Sequence, residues 1–310
     1  MWIYIVRRLT WLPVLLFAVS LITFFLFRVA PGDPVTVMLG AKARPEAAER
    51  LRHELGLDRP FWVQYFDYVF SFAKGDFGES LRYPGQDVKN LIIPKMWVSA
   101  QLSFVALAIS VMFGLPLGFF VAHKQGYAID PIVVIIALSL MAILPMISVP
   151  TLLWIFCLKL GWLPCSGWGG VWDTRIIIPA ITLGTPGIAF FVRLMRASTL
   201  DVLGQDFIRT AKAKGLGVFT IDVRHVLRNA IIPIVTILAF SLAGLIGGAL
   251  ITERILGIPG IGYFAVESVF QRDFPVLMAI TMIAATFFVI GTLLADICYT
   301  LIDPRIRYNE

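Results

Sequence analysis

The chain has 310 residues, of which 58% are hydrophobic and only 15% are charged, and its mean hydropathy is +0.84. Soluble domains carry about 25% charged residues, so this composition excludes a wholly soluble fold. The net charge of +6 would suit a nucleic-acid partner. However, the basic residues cluster in loops between apolar runs, which indicates contact with membrane lipid and no nucleic acid.

Six apolar runs without Asp, Glu, Lys or Arg predict six transmembrane helices, since a helix of about 20 apolar residues crosses a bilayer. These runs are Leu9–Phe27, Val98–Ala122, Pro131–Leu158, Ile176–Val192, Asn229–Thr252 and Phe274–Ala295. The first run has the outline of a signal peptide, but no small-x-small cleavage site follows it, so we expect a retained helix. In the third run, Pro145 and Pro150 predict a kink. The expected fold class is an all-α polytopic membrane protein.

The distribution of basic residues predicts that both termini are cytoplasmic, because short cytoplasmic loops are enriched in Lys and Arg. An internal N-terminus and six spans place the following residues inside: Arg7, Arg8, Lys124, Arg193, Arg196, Arg209, Lys212, Lys214, Arg224, Arg228, Arg305 and Arg307. The short outer loops hold only Lys159, Arg175, Arg254 and Arg272. We therefore expect a multi-pass protein of the cell inner membrane.

The segment between the first and second spans is expected to be external and mostly helical. Pro45 and Gly56 bracket one predicted helix, Glu46–Leu55, and a second helix is predicted over Phe61–Ala73. The second helix is crowded with aromatic residues, which favours a position at the outer membrane interface. A stacking surface for a sugar or a base is the alternative interpretation.

The stretch Asp206–Pro233 is long and basic and separates two uncharged apolar runs. Helix-forming residues from Phe207 to Lys214 end at Gly215, and glycine readily adopts the left-handed conformation that closes a helix. A second short helical pattern follows over Phe219–Arg228. Two short helices joined at a glycine predict a rigid protrusion that fits a groove on another protein. The alternative is a solvated loop that follows the positive-inside rule.

Within this stretch, R-T-A-K-A-K-G at Arg209–Gly215 resembles the E-A-A-x-x-x-G signature of permease subunits of binding-protein-dependent ABC importers. It is closer to the R-T-A-x-A-K-G form of the oligopeptide and dipeptide permeases, and Arg209 stands where the general signature is acidic. P-G-D-P at Pro31–Pro34, the glycine-rich stretch 56–78 and D-P-R-I-R-Y at Asp303–Tyr308 also resemble the B-type subunit of that branch. The resemblance therefore covers nearly the whole chain, although the later I-x-L-P element is not matched at its usual spacing.

The resemblance implies a type I ABC importer permease fold whose loop 194–228 couples to a cytoplasmic ATPase. The residues expected at the coupling surface are Asp206, Phe207, Arg209, Thr210, Ala211, Lys212, Lys214, Gly215 and Leu216. Phe207, Ala211 and Leu216 are expected to fill a groove on the ATPase, and Gly215 to set the angle between the two helices. The implied partners are a homologous second permease subunit, two ABC ATPase subunits with ATP and Mg, an external substrate-binding protein and a peptide. The chain has no G-x-x-x-x-G-K-[ST] motif, so no cofactor and no enzymatic activity are expected on it.

Small residues in the fifth span suggest part of a translocation path, with Ser241, Gly244 and Gly248 as candidates. Close helix packing is the alternative explanation, as it is for Gly114 and Gly118 in the second span. The outer loop after the fifth span resembles the family's segment that faces the binding protein. Its candidate residues are Ile258, Pro259, Gly260 and Gly262. No ionisable residue interrupts the predicted spans, which argues against a proton-driven carrier.

These elements divide the chain into four parts. They are 1–29 (basic start and first helix), 30–97 (external helical segment), 98–298 (core with the cytoplasmic loop 194–228) and 299–310 (cytoplasmic tail). The cysteines, Cys157, Cys165 and Cys298, lack C-x-x-C spacing, so neither a disulfide nor a zinc site is predicted.

Two sets of alternatives remain open from the sequence. Within the family, nickel chelates, glutathione or another small solute could replace peptides as the substrate. Outside the family, an ATP-independent channel or an intramembrane enzyme would require ionisable groups or a nucleophile–base pair inside the spans, and none is visible there.

Overall fold

A computed structural model describes residues 2–29, 35, 39, 45–54 and 56–302, and nearly all of its regular structure is helical. The helices are α1 (Trp2–Val29), α2 (Pro45–Glu54), α3 (Phe61–Ala73), α4 (Val88–His123), α5 (Ile129–Ala142), α6 (Pro145–Lys159), α7 (Ile177–Leu203), α8 (Asp206–Ala213), α9 (Val218–Ala230), α10 (Ile232–Gly244), α11 (Leu250–Leu256), α12 (Ile261–Gln271) and α13 (Phe274–Ile302). The two helices predicted between the first and second spans are confirmed as α2 and α3, and their external position stays a prediction. Leu55 and the motifs Pro31–Pro34 and Asp303–Tyr308 lie outside the described residues.

Among the residues that the structure describes, three helices are long and apolar enough to cross a membrane, and the number rises to five if each of two bent helix pairs is one span. The three are α4, α13 and α7 with its preceding turn, Thr174–Ile176; the bent pairs are α5 with α6 and α9 with α10. In α1 the apolar stretch Pro13–Val29 is shorter than the about 20 residues that cross a bilayer. The count of six spans therefore stays a prediction.

The third predicted span is broken in the middle. Helices α5 and α6 meet at 93°, Leu144 is extended (ψ 146°), and Pro145 begins α6. Proline fits the first turn of a helix because the N–H that it lacks would have no partner there. The predicted kink is therefore confirmed at Pro145, while Pro150 lies inside α6, which becomes π-helical from Leu153.

The fifth predicted span is interrupted at Gly248, between α10 and α11. Gly248 has φ of +74°, and a Cβ at this position would lie 2.7 Å from the backbone nitrogen of Gly262. Both the backbone conformation and the close approach require glycine. This small residue therefore marks a break in the helix.

Helices α4 and α7 pack closely along their lengths. A Cβ on Gly114 would lie 2.7 Å from the Cβ of Phe191, and one on Gly118 would lie 2.5 Å from the carbonyl oxygen of Val192. The close packing indicated by the G-x-x-x-G spacing is thus confirmed.

The second span begins earlier than predicted, because α4 starts at Val88 and not at Val98. Lys95 ended the charge-free run in the sequence, but its ammonium lies 4.5 Å from the ring centre of Phe264, where a cation–π contact accommodates the charge. Val88 and Ile92 are buried in one apolar cluster with Phe264. The early turns of α4 therefore belong to the folded end of the molecule that is predicted to be external.

The absence of a disulfide, predicted from the cysteine spacing, is wrong, because Cys157 and Cys165 are joined. Cys157 lies in the π-helical end of α6, and the chain turns back at once, with the amides of Trp162 and Leu163 both donating to the carbonyl of Phe156 (2.9 and 3.2 Å). This tight turn returns Cys165 to the helix end. A spacing rule could not reveal the pair, because the fold of the loop brings the two cysteines together.

Candidate functional site

The protrusion predicted after the fourth span is present, and we call residues 206–230 the coupling unit. Helix α8 ends in a Schellman motif, in which the amide of Gly215 donates to the carbonyl of Lys212 (3.0 Å) and that of Leu216 to the carbonyl of Ala211 (3.4 Å). Gly215 has φ of +76°, and a Cβ there would meet no atom within 4 Å. The conformation, and not a lack of space, therefore requires glycine at this position.

One face of α8 holds the coupling unit together. Ile208 and Ala211 are buried against Ile221 and Val226 of α9. Ala211 was predicted to fill a groove on a partner. It points into this small core instead, so its side chain is not available for that contact. The predicted helix Phe219–Arg228 is confirmed within α9, whose residues Ile221–Leu227 are π-helical.

The opposite face of the coupling unit is exposed and both apolar and basic. Its exposed apolar side chains are Phe207, Leu216, Val218, Phe219 and Val223, and Phe219 is 80% exposed. Arg209, Lys212 and Lys214 are exposed as well. Thr210 donates to the carbonyl of Asp206 (3.0 Å), and Asp206 pairs with Arg209 (3.5 Å). Exposed phenylalanine rings beside cations make a surface suited to a protein partner.

Two polar contacts on the same side of the molecule, one hydrogen bond and one ion pair, were not predicted from the sequence. Nε2 of His123, at the end of α4, lies 3.0 Å from Oδ1 of Asp222 in the coupling unit. Arg196, on α7, binds Asp130 of α5 through two nitrogens, at 2.5 and 2.7 Å. The first pair joins the coupling unit to α4, and the second joins α7, which leads into that unit, to α5.

A cavity of about 550 Å³ lies among the spans, between α4, α7 and the broken fifth span. Ser241 and Gly248, two of the predicted path residues, are among its lining residues, together with Ser110, Phe190 and Ala249. Gly244 is not among them. Every residue that lines this cavity is uncharged.

Glu253, on α11, is 0% exposed and organises the opposite end of the molecule. Its Oε1 accepts hydrogen bonds from the Ser99 hydroxyl (2.7 Å) and the Ala249 amide (2.9 Å), and its Oε2 accepts one from the Tyr263 amide (3.0 Å). The Ser99 oxygen accepts in turn from the amide of Ile261 (2.8 Å). These amides lie at the N-terminal ends of α11 and α12, where backbone N–H groups have no acceptor within their own helix. We call this network the outer clasp, because it lies at the end of the molecule predicted to be external; it joins α4, α11 and α12.

The predicted outer-loop residues lie around this carboxylate. A Cβ on Gly262 would lie 2.9 Å from Oε2 of Glu253, and one on Gly260 would collide with the same oxygen. Ile258 is fully buried, and Pro259 is exposed. Ile258, Gly260 and Gly262 thus have structural roles, which leaves Pro259 as the residue of this set at the surface. An acidic residue at the end of an apolar run, followed by a glycine-rich turn, is the signal that could have located the clasp.

A helical membrane chain with an uncharged cavity among its spans and an exposed, partly apolar protrusion at one end has the features of the membrane subunit of a transporter. Two family models match it: the binding-protein-dependent transport system inner membrane component over residues 114–308, and the corresponding N-terminal component over residues 1–81. The chain belongs to this family and is an inner-membrane permease subunit.

Similar proteins span the whole chain. It is 35% identical to the oligopeptide transport system permease protein OppB of Haemophilus influenzae, with 98% of this chain and 99% of that protein covered. It is 36% identical to AppB of Bacillus subtilis, an oligopeptide permease (98% and 99%), and 34% identical to the glutathione permease GsiC of Escherichia coli K12 (99% and 99%).

Comparison with solved structures identifies the fold. An inward-facing structure of the MetNI methionine ABC transporter superposes with a TM-score of 0.52 at 17% identity, over 69% of this chain and 96% of that one. At this identity the likeness concerns the fold alone, which is that of a type I ABC importer permease.

Proposed function

We propose that this chain is the permease subunit of an ATP-driven ABC importer for peptides, that it forms half of the translocation path, and that it couples this path to a separate ATPase. Relatives of matching length carry the names of oligopeptide and dipeptide permeases, which favours peptides as the substrate class. The uncharged cavity beside Ser241 and Gly248 supports a path for cargo with varied side chains, because no fixed charge selects among them.

The observation that carries the proposal is the exposed face of the coupling unit. A solvated loop has no need for the exposed rings of Phe207 and Phe219, whereas a helix that docks into a groove uses such apolar anchors. Arg209, Lys212 and Lys214 surround the anchors and would steer the unit towards an acidic groove. The hydrogen bond between His123 and Asp222 would pass movement of the unit to α4.

In this proposal the coupling unit and both termini face the cytoplasm. Two ABC ATPase subunits dock there and carry the ATP and Mg, while this chain carries no cofactor. A homologous second permease subunit completes the path. An external binding protein delivers the peptide at the opposite end, where Pro259 is exposed.

The proposal is tested with Gly215→Pro and its matched control Gly217→Pro. Proline requires φ near −65°, which Gly215 (φ +76°) cannot provide and Gly217 (φ −62°) can. The amide of Gly215 also donates one bond of the Schellman motif, and that bond is lost in the variant. We expect Gly215→Pro to lower ATP-dependent peptide uptake by about tenfold or more, equivalent to about 1.4 kcal/mol of lost coupling, while membrane insertion is unchanged.

Uptake into proteoliposomes and ATP hydrolysis by the assembled transporter are measured for both variants. Equal uptake by Gly215→Pro and Gly217→Pro would refute the coupling role. The assembly is tested by purifying the tagged chain in mild detergent: P-loop ATPases and a second membrane subunit should accompany it. A lone chain whose transport survives ATP depletion would instead indicate a channel.

Glutathione is the second candidate substrate, because GsiC is as similar over the full length as some of the peptide permeases are. Competition of labelled tripeptide uptake by unlabelled peptides and by glutathione distinguishes the two. Inhibition by glutathione alone would overturn the assignment to peptides.

A further inference from the structure

Helix α3 has three distinct faces, because successive residues turn by about 100° around a helix. Phe61 and Tyr65 lie on the first face, which packs against α1, and Tyr65 is fully buried. Gln64, Asp67 and Ser71 form a polar second face. The third face is apolar yet uncovered, and its main residues are Trp62, Phe66 and Phe70, with exposed fractions of 54%, 46% and 63%.

The contacts with α1 fix the depth at which α3 lies. The ring of Phe24 packs against Phe61 and Tyr65 at 5.3 and 5.6 Å, and the Tyr65 hydroxyl lies 2.7 Å from the Ser20 hydroxyl oxygen. Ser20 stands eight residues before Arg28, the first charge after the apolar run of α1, which is about 12 Å at 1.5 Å per residue. Tyr65 therefore reaches well into the apolar part of the membrane, and α3 lies just below its outer boundary.

The polar face is oriented away from the membrane. Gln64 accepts a hydrogen bond from Arg28 (2.7 Å), and Asp67 pairs with Arg59 (3.3 Å), so this face carries the charges that mark the headgroup level. The apolar face of α3 points away from the headgroup level. Charges on one side and large apolar residues on the other are the pattern of a helix that lies in the membrane interface.

The uncovered face of α3 is continuous with a surface of the same chemistry on α1. Phe17 of α1 is exposed and its ring lies 5.8 Å from that of Tyr65, whose ring in turn lies 5.4 Å from that of the exposed Phe66. A transmembrane helix presents such residues to lipid. The same lipid layer therefore extends from α1 to the apolar face of α3.

We propose that Trp62, Phe66 and Phe70 bind the acyl chains of phospholipids in the outer leaflet, so that α3 is an in-plane membrane helix. This inference depends on the membrane position of α1 and not on the transported substrate. Aromatic rings are enriched at this depth, and contact with acyl chains removes the three rings from water.

The experiment replaces Phe66 with the photoreactive amino acid p-benzoylphenylalanine in the full chain, expressed with its partners in the native membrane. Asp67→p-benzoylphenylalanine, on the polar face, is the matched control, and Phe70→p-benzoylphenylalanine is a second test that remains if the first variant fails to accumulate. After irradiation, adducts are identified by gel mobility and by peptide mass.

We expect a phospholipid adduct at positions 66 and 70 in a yield at least about fivefold that at position 67, because the first two side chains lie in the acyl region and the third on the polar face. A protein adduct at position 66, to a second membrane subunit or to an external binding protein, would overturn the proposal. A lack of adducts at both 66 and 70 would also overturn it, because these side chains would then face water.

Discussion

Replacement of Glu253 by alanine is the sharpest test of the outer clasp. The carboxylate accepts from the amides of Ala249 and Tyr263 and from the hydroxyl of Ser99, and Glu253 itself is fully buried. Each buried donor left without an acceptor costs about 1–3 kcal/mol. The Ser99 hydroxyl can rotate to another acceptor, but the two amides cannot, so we expect a loss of about 2–6 kcal/mol.

Thermal unfolding of the purified chain in lipid nanodiscs measures this loss. A change of 1 kcal/mol shifts the melting temperature by about 2–4 °C for a chain of this order of size, so Glu253→Ala is expected to melt roughly 4–24 °C below the native protein. The melting temperature of Glu253→Gln should lie between those of Glu253→Ala and the native protein, because the single carbonyl oxygen of glutamine can accept from only one side.

Glu267→Ala is the matched control for this prediction. Glu267 lies on α12, is only partly buried, and its side chain bonds to Gln271 (3.1 Å) on the same helix, so its removal should cost less than about 1 kcal/mol. If Glu253→Ala and Glu267→Ala melt together, the hydrogen bonds of the clasp do not stabilise the outer end, and the reasoning is refuted.

Two further predictions concern the spans and their inner ends. Gly118→Val should lower the melting temperature by about 5 °C or more, because its side chain meets the backbone of α7. Gly244→Ala, whose Cβ would meet no atom within 4 Å, should be neutral, and equal melting of the two would contradict close packing. Arg196→Ala leaves Asp130 without its partner and should cost about 1–3 kcal/mol and reduce uptake. The exposed Arg193→Ala is its control, and a similar loss in both would exclude a specific role for the Asp130 pair.

What could be predicted from the sequence was local. Gly215 was assigned as the end of a helix because capping depends on a few adjacent residues, and the Schellman motif is present. Glu253 could not be assigned in the same way, since its partner Ser99 lies 154 residues away. Lys95 illustrates a second limit: a rule that ends a span at the first charge cannot anticipate the ring of Phe264 that accommodates it.

The two ends of the core are held together by different interactions, and this difference bears on how it can move. The inner pair of His123 with Asp222 is partly exposed, so water and salt can replace it at small cost. At the outer end, Glu253 and Asp273 are buried carboxylates, and Asp273 accepts from the Ser80 hydroxyl and from the amide of Leu81 (3.2 Å). Breaking the hydrogen bonds of either carboxylate would leave the groups that donate to it without an acceptor. We therefore expect movement that starts at the coupling unit to rearrange the inner contacts while α11 and α12 move as one rigid body with the outer clasp closed.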